Sequence, residues 1–290
     1  MQHDAFGKWL RETPLTLADG AWGSTCFSLG LPRDRLPEWW NLEAPDRIQG
    51  IAEAFARSRA RLLSTNTFNG NTFRIPAAVP TQLAALNRCG VEIVRAAAAP
   101  HQRVYGAMGP SGMKPTDARY LSPAHSEAFL VQAEALLAGG ADLLGLESML
   151  SVAEAVLLVK TLTAAFDVAV LCSYTWFRSQ DGCLHTLCGA GPAEAAHTVL
   201  DAGAAVIGVN CCAGPEDALA VVQAYRAAGV AAPVWASPNA GLPRDMGGTL
   251  AYPIDAQAFA TWVPRLAAAG ASIVGGCCGV GPEYVSLWRP

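Results

Sequence analysis

Short apolar runs rich in β-branched residues alternate along the chain with Ala-rich stretches of helical period, repeating at roughly 30-residue intervals. That alternation predicts repeated βα units and a parallel sheet. Strands are expected at 15–18, 62–65, 104–107, 142–146, 168–172, 204–207, 234–237 and 271–274. Helices are expected at 45–60, 81–97, 123–137, 151–165, 192–202, 215–228 and 255–269, with a short eighth over 282–288. The Pro- and Trp-rich stretch 31–40 reads as a loop. Eight such units in 290 residues predict an α/β fold, a (β/α)8 TIM barrel forming one domain over 1–290. A doubly wound sheet needs fewer strands and a Gly-rich phosphate turn after the first, which Asp19-Gly20-Ala21-Trp22-Gly23 matches poorly.

Reactive groups of such barrels sit at the C-terminal ends of the strands. Asp19, Thr65, Asn66, Glu147, Ser173, Cys211, Asn239, Cys277 and Cys278 all fall there. The adjacent thiols in Gly275-Gly276-Cys277-Cys278-Gly279 supply two soft ligands, and a working zinc site wants three protein ligands and an open position. Cys211, in Gly208-Val209-Asn210-Cys211, is the obvious third. Free cysteine also packs as a small hydrophobe, so burial alone is the competing explanation. Two cysteine sites ending next-but-one strands of one sheet favour a shared ion.

Charge narrows the choice of partner. With 15% charged residues, a net charge of −4 and no Lys/Arg cluster, the chain is not expected to bind nucleic acid. Residues 1–11 lack an export pattern and later apolar runs are broken before they could span a bilayer, so a cytoplasmic protein without a membrane segment is expected. Nine scattered cysteines argue for reduced thiols rather than a disulfide framework. Cys26, Cys89, Cys172, Cys183, Cys188 and Cys212 are read as core or incidental, and none of the five histidines ends a strand within a motif.

Taken in order, Asp19-Gly20-Ala21, Thr65-Asn66-Thr67-Phe68, Gly109-Pro110, Gly140-Ala141-Asp142 through Glu147, Gly208-Val209-Asn210-Cys211, Pro238-Asn239-Ala240-Gly241 and the double-cysteine segment resemble the zinc-dependent homocysteine S-methyltransferases. That family includes betaine–homocysteine methyltransferase and the homocysteine domain of cobalamin-dependent methionine synthase. The resemblance implies methyl transfer to the thiol of homocysteine, giving methionine, with Zn2+ held by Cys211, Cys277 and Cys278. It further implies that Asp19 with Gly20, Thr65 and Glu147 hold the amino-acid end of the substrate. Asn239, at the end of the seventh strand, is a candidate for the fourth zinc position when substrate is absent. By residue type alone, Asp19-Gly20 is also ordinary turn chemistry and Glu147 an acid ahead of a helix. Thr65 is also a β-branched strand residue, and Pro238-Asn239-Ala240-Gly241 a turn.

The methyl donor stays open between two expectations. Residues 66–69 and 239–243 resemble the methionine synthase version, which implies a methylated corrinoid, and 290 residues leave no length for a corrinoid or folate domain. A corrinoid would come free or on a partner protein. Betaine is the other expectation: animal betaine enzymes carry tyrosines where this chain has Asn69 and Ser148, so a cage would draw on Trp22, Trp39, Trp40, Tyr174 or Trp176. The alternative function is a non-catalytic or other-thiol zinc barrel, one subunit of a larger methyl-transfer complex.

Overall fold

The computed structural model describes residues 1–75, 79–247 and 250–289. Its framework is eight parallel strands: β1 Thr16–Leu17, β2 Leu62–Ser64, β3 Arg103–Met108, β4 Leu143–Met149, β5 Val170–Tyr174, β6 Val206–Asn210, β7 Val234–Ser237 and β8 Ile273–Val274. Each pairs with its neighbour in chain order, and β8 returns to β1 through Thr16↔Ile273 and Leu17↔Val274. A bridge between Ala18 and Leu62 joins β1 to β2 and closes the ring. The expected (β/α)8 barrel is therefore the observed one.

Alternate strand residues divide between two apolar layers, as the pleat requires. Leu62, Tyr105, Leu143, Leu171, Val206, Trp235 and Ile273 belong to one buried cluster, which an N-terminal helix, His3–Leu10, joins through Phe6, Trp9 and Leu10. Val104, Met108, Leu144, Leu146, Cys172, Ile207, Val209 and Val274 belong to the other, shared with the surrounding helices. Strands buried on both faces read as unbroken apolar runs, which is why they were visible in the sequence.

Helices Pro45–Arg57, Pro80–Ala97, Pro123–Ala138, Pro192–Asp201, Pro215–Ala227 and Pro282–Leu287 all begin with proline, whose missing N–H is not needed at that position. The helix Val152–Ala165 starts instead at Ser151, whose hydroxyl accepts from the Glu154 N–H. One expectation needs correction: 255–269 is two helices, Ala256–Ala260 and Trp262–Ala268. Pro264 explains the break, since its ring conflicts with the carbonyl four residues earlier and it offers no N–H to it. The sixth strand also lies slightly later than the expected 204–207, so that it ends at Asn210 and delivers Cys211 directly to the rim.

Four features beyond the eight repeats went unread, the N-terminal helix His3–Leu10 among them. The stretch after β1 contains the helix Trp22–Ser28, a 3-10 turn Pro37–Trp39 and a short helix Trp40–Glu43. Two antiparallel hairpins, Phe177–Arg178 with Leu184–His185 and Arg244–Asp245 with Leu250–Ala251, follow β5 and β7 at the C-terminal end of the barrel.

Candidate active site

The three thiols named from the sequence meet at the ends of β6 and β8. Their sulfur atoms all lie within 4.8 Å of one another. Cys211 Sγ is 2.7 Å from Cys277 Sγ and 3.7 Å from Cys278 Sγ. Backbone bonds hold the pair: Cys277 N–H donates to the Pro238 carbonyl and Ala240 N–H to the Cys278 carbonyl, both at 2.9 Å. Gly276 permits this close path, because a Cβ there would lie 2.2 Å from Val280 Cγ1. Hydrogen bonds from Cys211 and then Cys277 hold the Cys278 thiol well below the ordinary thiol range, against the effect of burial.

Cys211 stands in the left-handed backbone region, with φ of +52°, and so does Ser148 at the end of β4, with φ of +55°. Non-glycine residues hold such a conformation only where their surroundings impose it. Asn210 supplies the restraint. Its Oδ1 accepts from the Ser148 N–H at 2.9 Å and the Ser173 hydroxyl at 2.8 Å, and its Nδ2 donates to Ser148 Oγ at 2.8 Å. One buried amide thus links the rim of β6 to those of β5 and β4.

The cysteines line a cleft of about 180 Å3, smaller than the ~300–1,000 Å3 of drug-sized sites. Glu147, Thr65 and Gly20 line it too. Asp19 lies behind that lining, 3% exposed, with Oδ2 accepting from the Ser64 N–H at 2.8 Å and the Ser64 hydroxyl at 2.9 Å. Trp22 Nε1 donates to the same hydroxyl at 2.9 Å. Tyr105 completes the set, its phenol close enough to Glu147 and Ser64 to act on them electrostatically. Burial pushes the Asp19 carboxyl up to about 7 and the Glu147 carboxyl up to about 8, Glu147 being raised further by the charges of Asp19 and Cys278. Thr65 Oγ1 accepts from the Ala107 N–H at 3.0 Å and lies 2.6 Å from Thr67 Oγ1. At Gly20 a Cβ would fall 2.1 Å from the Val280 carbonyl oxygen, so only glycine fits.

Residues 16–288 match the family described as homocysteine S-methyltransferase. The chain belongs to the homocysteine S-methyltransferase family. Methionine synthase of Mycobacterium leprae (strain TN) is 29% identical over 297 residues, covering 97% of this chain and 23% of that protein. Methionine synthase of Mycobacterium tuberculosis (strain ATCC 25618 / H37Rv) is 28% identical over 291 residues, covering 93% and 24%. The chain therefore spans about a quarter of the length of the curated relatives it matches. Crystal structures of the homocysteine methyltransferase MmuM from Escherichia coli share the fold. The metallated form has a TM-score of 0.76 at 23% identity and the oxidized form 0.77 at 24%, each covering 96% of both chains.

This homocysteine S-methyltransferase barrel has a donor set that fits a soft ion. Tetrahedral ZnS geometry with ~2.3 Å bonds spaces sulfurs by about 3.8 Å; the Cys211–Cys278 separation of 3.7 Å matches it, and the Cys211–Cys277 separation of 2.7 Å has to widen by about 1 Å to take the ion. A second observation points the same way: Asn239, 7% exposed and directly after Pro238, has a buried Oδ1 without a hydrogen-bond partner among the described residues. Such an orphaned acceptor is costly unless a ligand takes it.

Among the five aromatic residues considered for a cage, Trp22 lines the cleft. Tyr174 and Trp176 are buried in the outer core, and Trp176 packs edge-on against Tyr225 at 6.2 Å. Ser64, Tyr105 and Glu38, which also line the cleft, were not singled out from sequence. Ser64 and Tyr105 fall inside predicted strands, where their polarity was the available signal; Glu38 lay in a stretch read as loop.

Proposed function

We propose that this barrel, acting as one homocysteine-binding domain over 1–290, is a zinc-dependent methyltransferase that moves a methyl group onto the thiol of homocysteine to give methionine. The observation that carries the reading is the convergence of three thiols in a cleft that also presents a carboxylate, Glu147. Cys211, Cys277 and Cys278 hold the zinc, and Asn239 Oδ1 completes its shell when substrate is absent. Bound there, zinc supplies a Lewis acid that favours the thiolate form of the substrate sulfur at neutral pH.

The chain's own residues bind and orient. Glu147, backed by Asp19, receives the homocysteine ammonium, while backbone N–H groups near Gly20 or the Thr65 hydroxyl take its carboxylate. Fixing both ends aims the sulfur at the donor methyl, and positioning of this kind contributes much of the acceleration in an in-line displacement. The sulfur–methyl bond forms as the bond from methyl to donor breaks, and the donor keeps the electron pair.

The donor is a methylated corrinoid, free or carried by a partner protein, or betaine. A cytoplasmic setting suits the free thiols, and among the described residues no helix is long and apolar enough to cross a membrane. The test is methionine formation by zinc-loaded protein offered homocysteine with betaine, S-methylmethionine, S-adenosylmethionine or methylcobalamin. Zinc retained without turnover by any donor, even with a corrinoid protein added, would favour the non-catalytic subunit instead.

A further inference from the structure

Behind one wall of the cleft lies a set of buried side-chain amides to which neither the thiols nor the substrate residues give a role. Residues 65–71, after β2, supply Thr65, Asn66, Phe68 and Asn69 to the lining. Their backbone carbonyls are held from outside the segment. Asn41 Nδ2 donates to the Asn66 carbonyl at 2.8 Å, Gln132 Nε2 to that of Thr67 at 2.8 Å and Asn87 Nδ2 to that of Gly70 at 2.7 Å. The Gly109 N–H donates to the Phe68 carbonyl at 2.7 Å. Asn41, Asn87 and Gln132 are at most 2% exposed and come from three helices, Trp40–Glu43, Pro80–Ala97 and Pro123–Ala138. None of the three is among the described residues that line the cleft.

The amides also hold one another. Asn66 Nδ2 donates to Asn41 Oδ1 at 2.9 Å and to the Pro37 carbonyl at 2.8 Å, which ties the segment to the 3-10 turn Pro37–Trp39 on the same wall. Asn41 Nδ2 also reaches the Leu86 carbonyl at 3.1 Å, and Asn87 Nδ2 the Leu83 carbonyl at 2.9 Å. Two glycines make room for them. A Cβ at Gly90 would lie 2.5 Å from Asn41 Nδ2, and one at Gly70 would lie 2.0 Å from Asn87 Oδ1. Gly90 falls inside the helix Pro80–Ala97, where glycine is disfavoured, so the chain accepts a weaker helix in order to seat Asn41. Buried loop carbonyls need donors that apolar packing does not supply. Four external donors on so short a segment leave it little freedom, and fixing a group before its ligand arrives removes an ordering cost from binding.

We propose that Asn41, Asn87 and Gln132 are positioning residues that set residues 65–71 in their substrate-binding shape before homocysteine arrives. The inference rests on the reading of the cleft as a homocysteine site and adds how its wall is kept ready. The three amides act through Thr65, which directly precedes the first clamped carbonyl. Through Asn66, Asn41 also keeps the Pro37–Trp39 turn against the segment, so the cleft holds its width whether or not substrate is present.

Amide hydrogen exchange of the zinc-loaded protein, with and without saturating homocysteine, tests this together with calorimetric titration. The N–H groups of Thr67, Asn69, Gly70 and Asn71 are all hydrogen-bonded. In the unmodified protein they should exchange slowly without substrate, and homocysteine should slow them by no more than about twofold. In Asn41→Ala the same groups should exchange about tenfold faster or more in the free protein and regain protection when homocysteine binds. The dissociation constant of homocysteine should rise about fivefold or more in that variant, while zinc content and exchange in β4 and β5 stay unchanged. A merely structural role would speed exchange throughout the barrel or leave affinity alone, and either result would overturn the proposal. So would fast exchange of the four groups in the free unmodified protein that homocysteine suppresses, a comparison that stands even if Asn41→Ala does not fold. Failure of homocysteine to bind the unmodified protein sinks the methyltransferase reading, whereas binding to a wall that orders only then sinks the clamp alone.

Discussion

Replacing Glu147 by Gln should change how many protons leave when homocysteine binds. Burial, the charge of Asp19 and then that of Cys278 raise the Glu147 carboxyl to about 8, although the Tyr105 hydroxyl opposes the shift. At pH 7 a group with that value is roughly nine-tenths protonated. An incoming ammonium favours the ionised carboxylate, so binding expels close to one proton in addition to the thiol proton. The sign follows: below pH 8 each unit of acidification weakens homocysteine binding about tenfold through this carboxyl alone. In Glu147→Gln that contribution disappears. Calorimetry at pH 7 in buffers of different ionisation enthalpy counts the protons, and the variant should release roughly 0.9 fewer than the unmodified protein. It should also show a shallower dependence of log Kd on pH, by about one unit per pH unit below 8. Equal proton counts, or loss of zinc rather than of substrate affinity, would refute the assignment of Glu147 to the ammonium.

Other substitutions probe the surrounding parts. Cys277→Ser should lower zinc content well below one ion per chain in protein purified under reducing conditions, and unchanged metal by elemental analysis would refute the ligand set. Asn210→Ala leaves the Ser148 N–H and two hydroxyls without their partner, so denaturant unfolding should show a loss of about 1–3 kcal/mol, and competition with a chelator should show weaker zinc binding; unchanged values in both would exclude the restraining role. Asp19 titrates near 3.8 in an unfolded chain and about 7 in the folded one. The stability that burial of its neutral form supplies is present below pH 4 and declines as pH rises to 7, so Asp19→Asn should flatten the fall in unfolding free energy across that window. Gly20→Ala drives a Cβ against the Val280 carbonyl and should lower Tm by several degrees, corresponding to about 1–3 kcal/mol.

The barrel was legible because its strands are doubly buried and its helices open with proline, both of which are local signals. Pro264 shows the limit of that reading: the helical period runs through it, yet the backbone cannot. The thiol cluster was legible because the strand ends are fixed by topology, so Cys211 and Cys277 could be brought together across 66 residues of sequence. The inner network was not. Ser64 and Tyr105 become important only once Asp19 turns away from the cleft surface toward Ser64, a choice made by packing at the β1–β2 junction. Glu38 depended on the fold of the 31–40 stretch, which carries no periodicity to read.

The barrel wall is thin where the thiols are. Strand β8 has two residues and pairs with β7 and β1 at only two positions each, whereas β4 pairs with β3 at four. Cys211, Asn239 and the Cys277-Cys278 pair lie just beyond β6, β7 and β8, so an ion held by them would span three staves of the barrel and act as a hoop on a thin side. Stripping the metal should therefore be felt mechanically as well as chemically. Amide hydrogens of β8 and of Pro282–Leu287 should exchange faster in the metal-free protein while those of β4 and β5 hold, which makes seam integrity a report on whether the site is loaded.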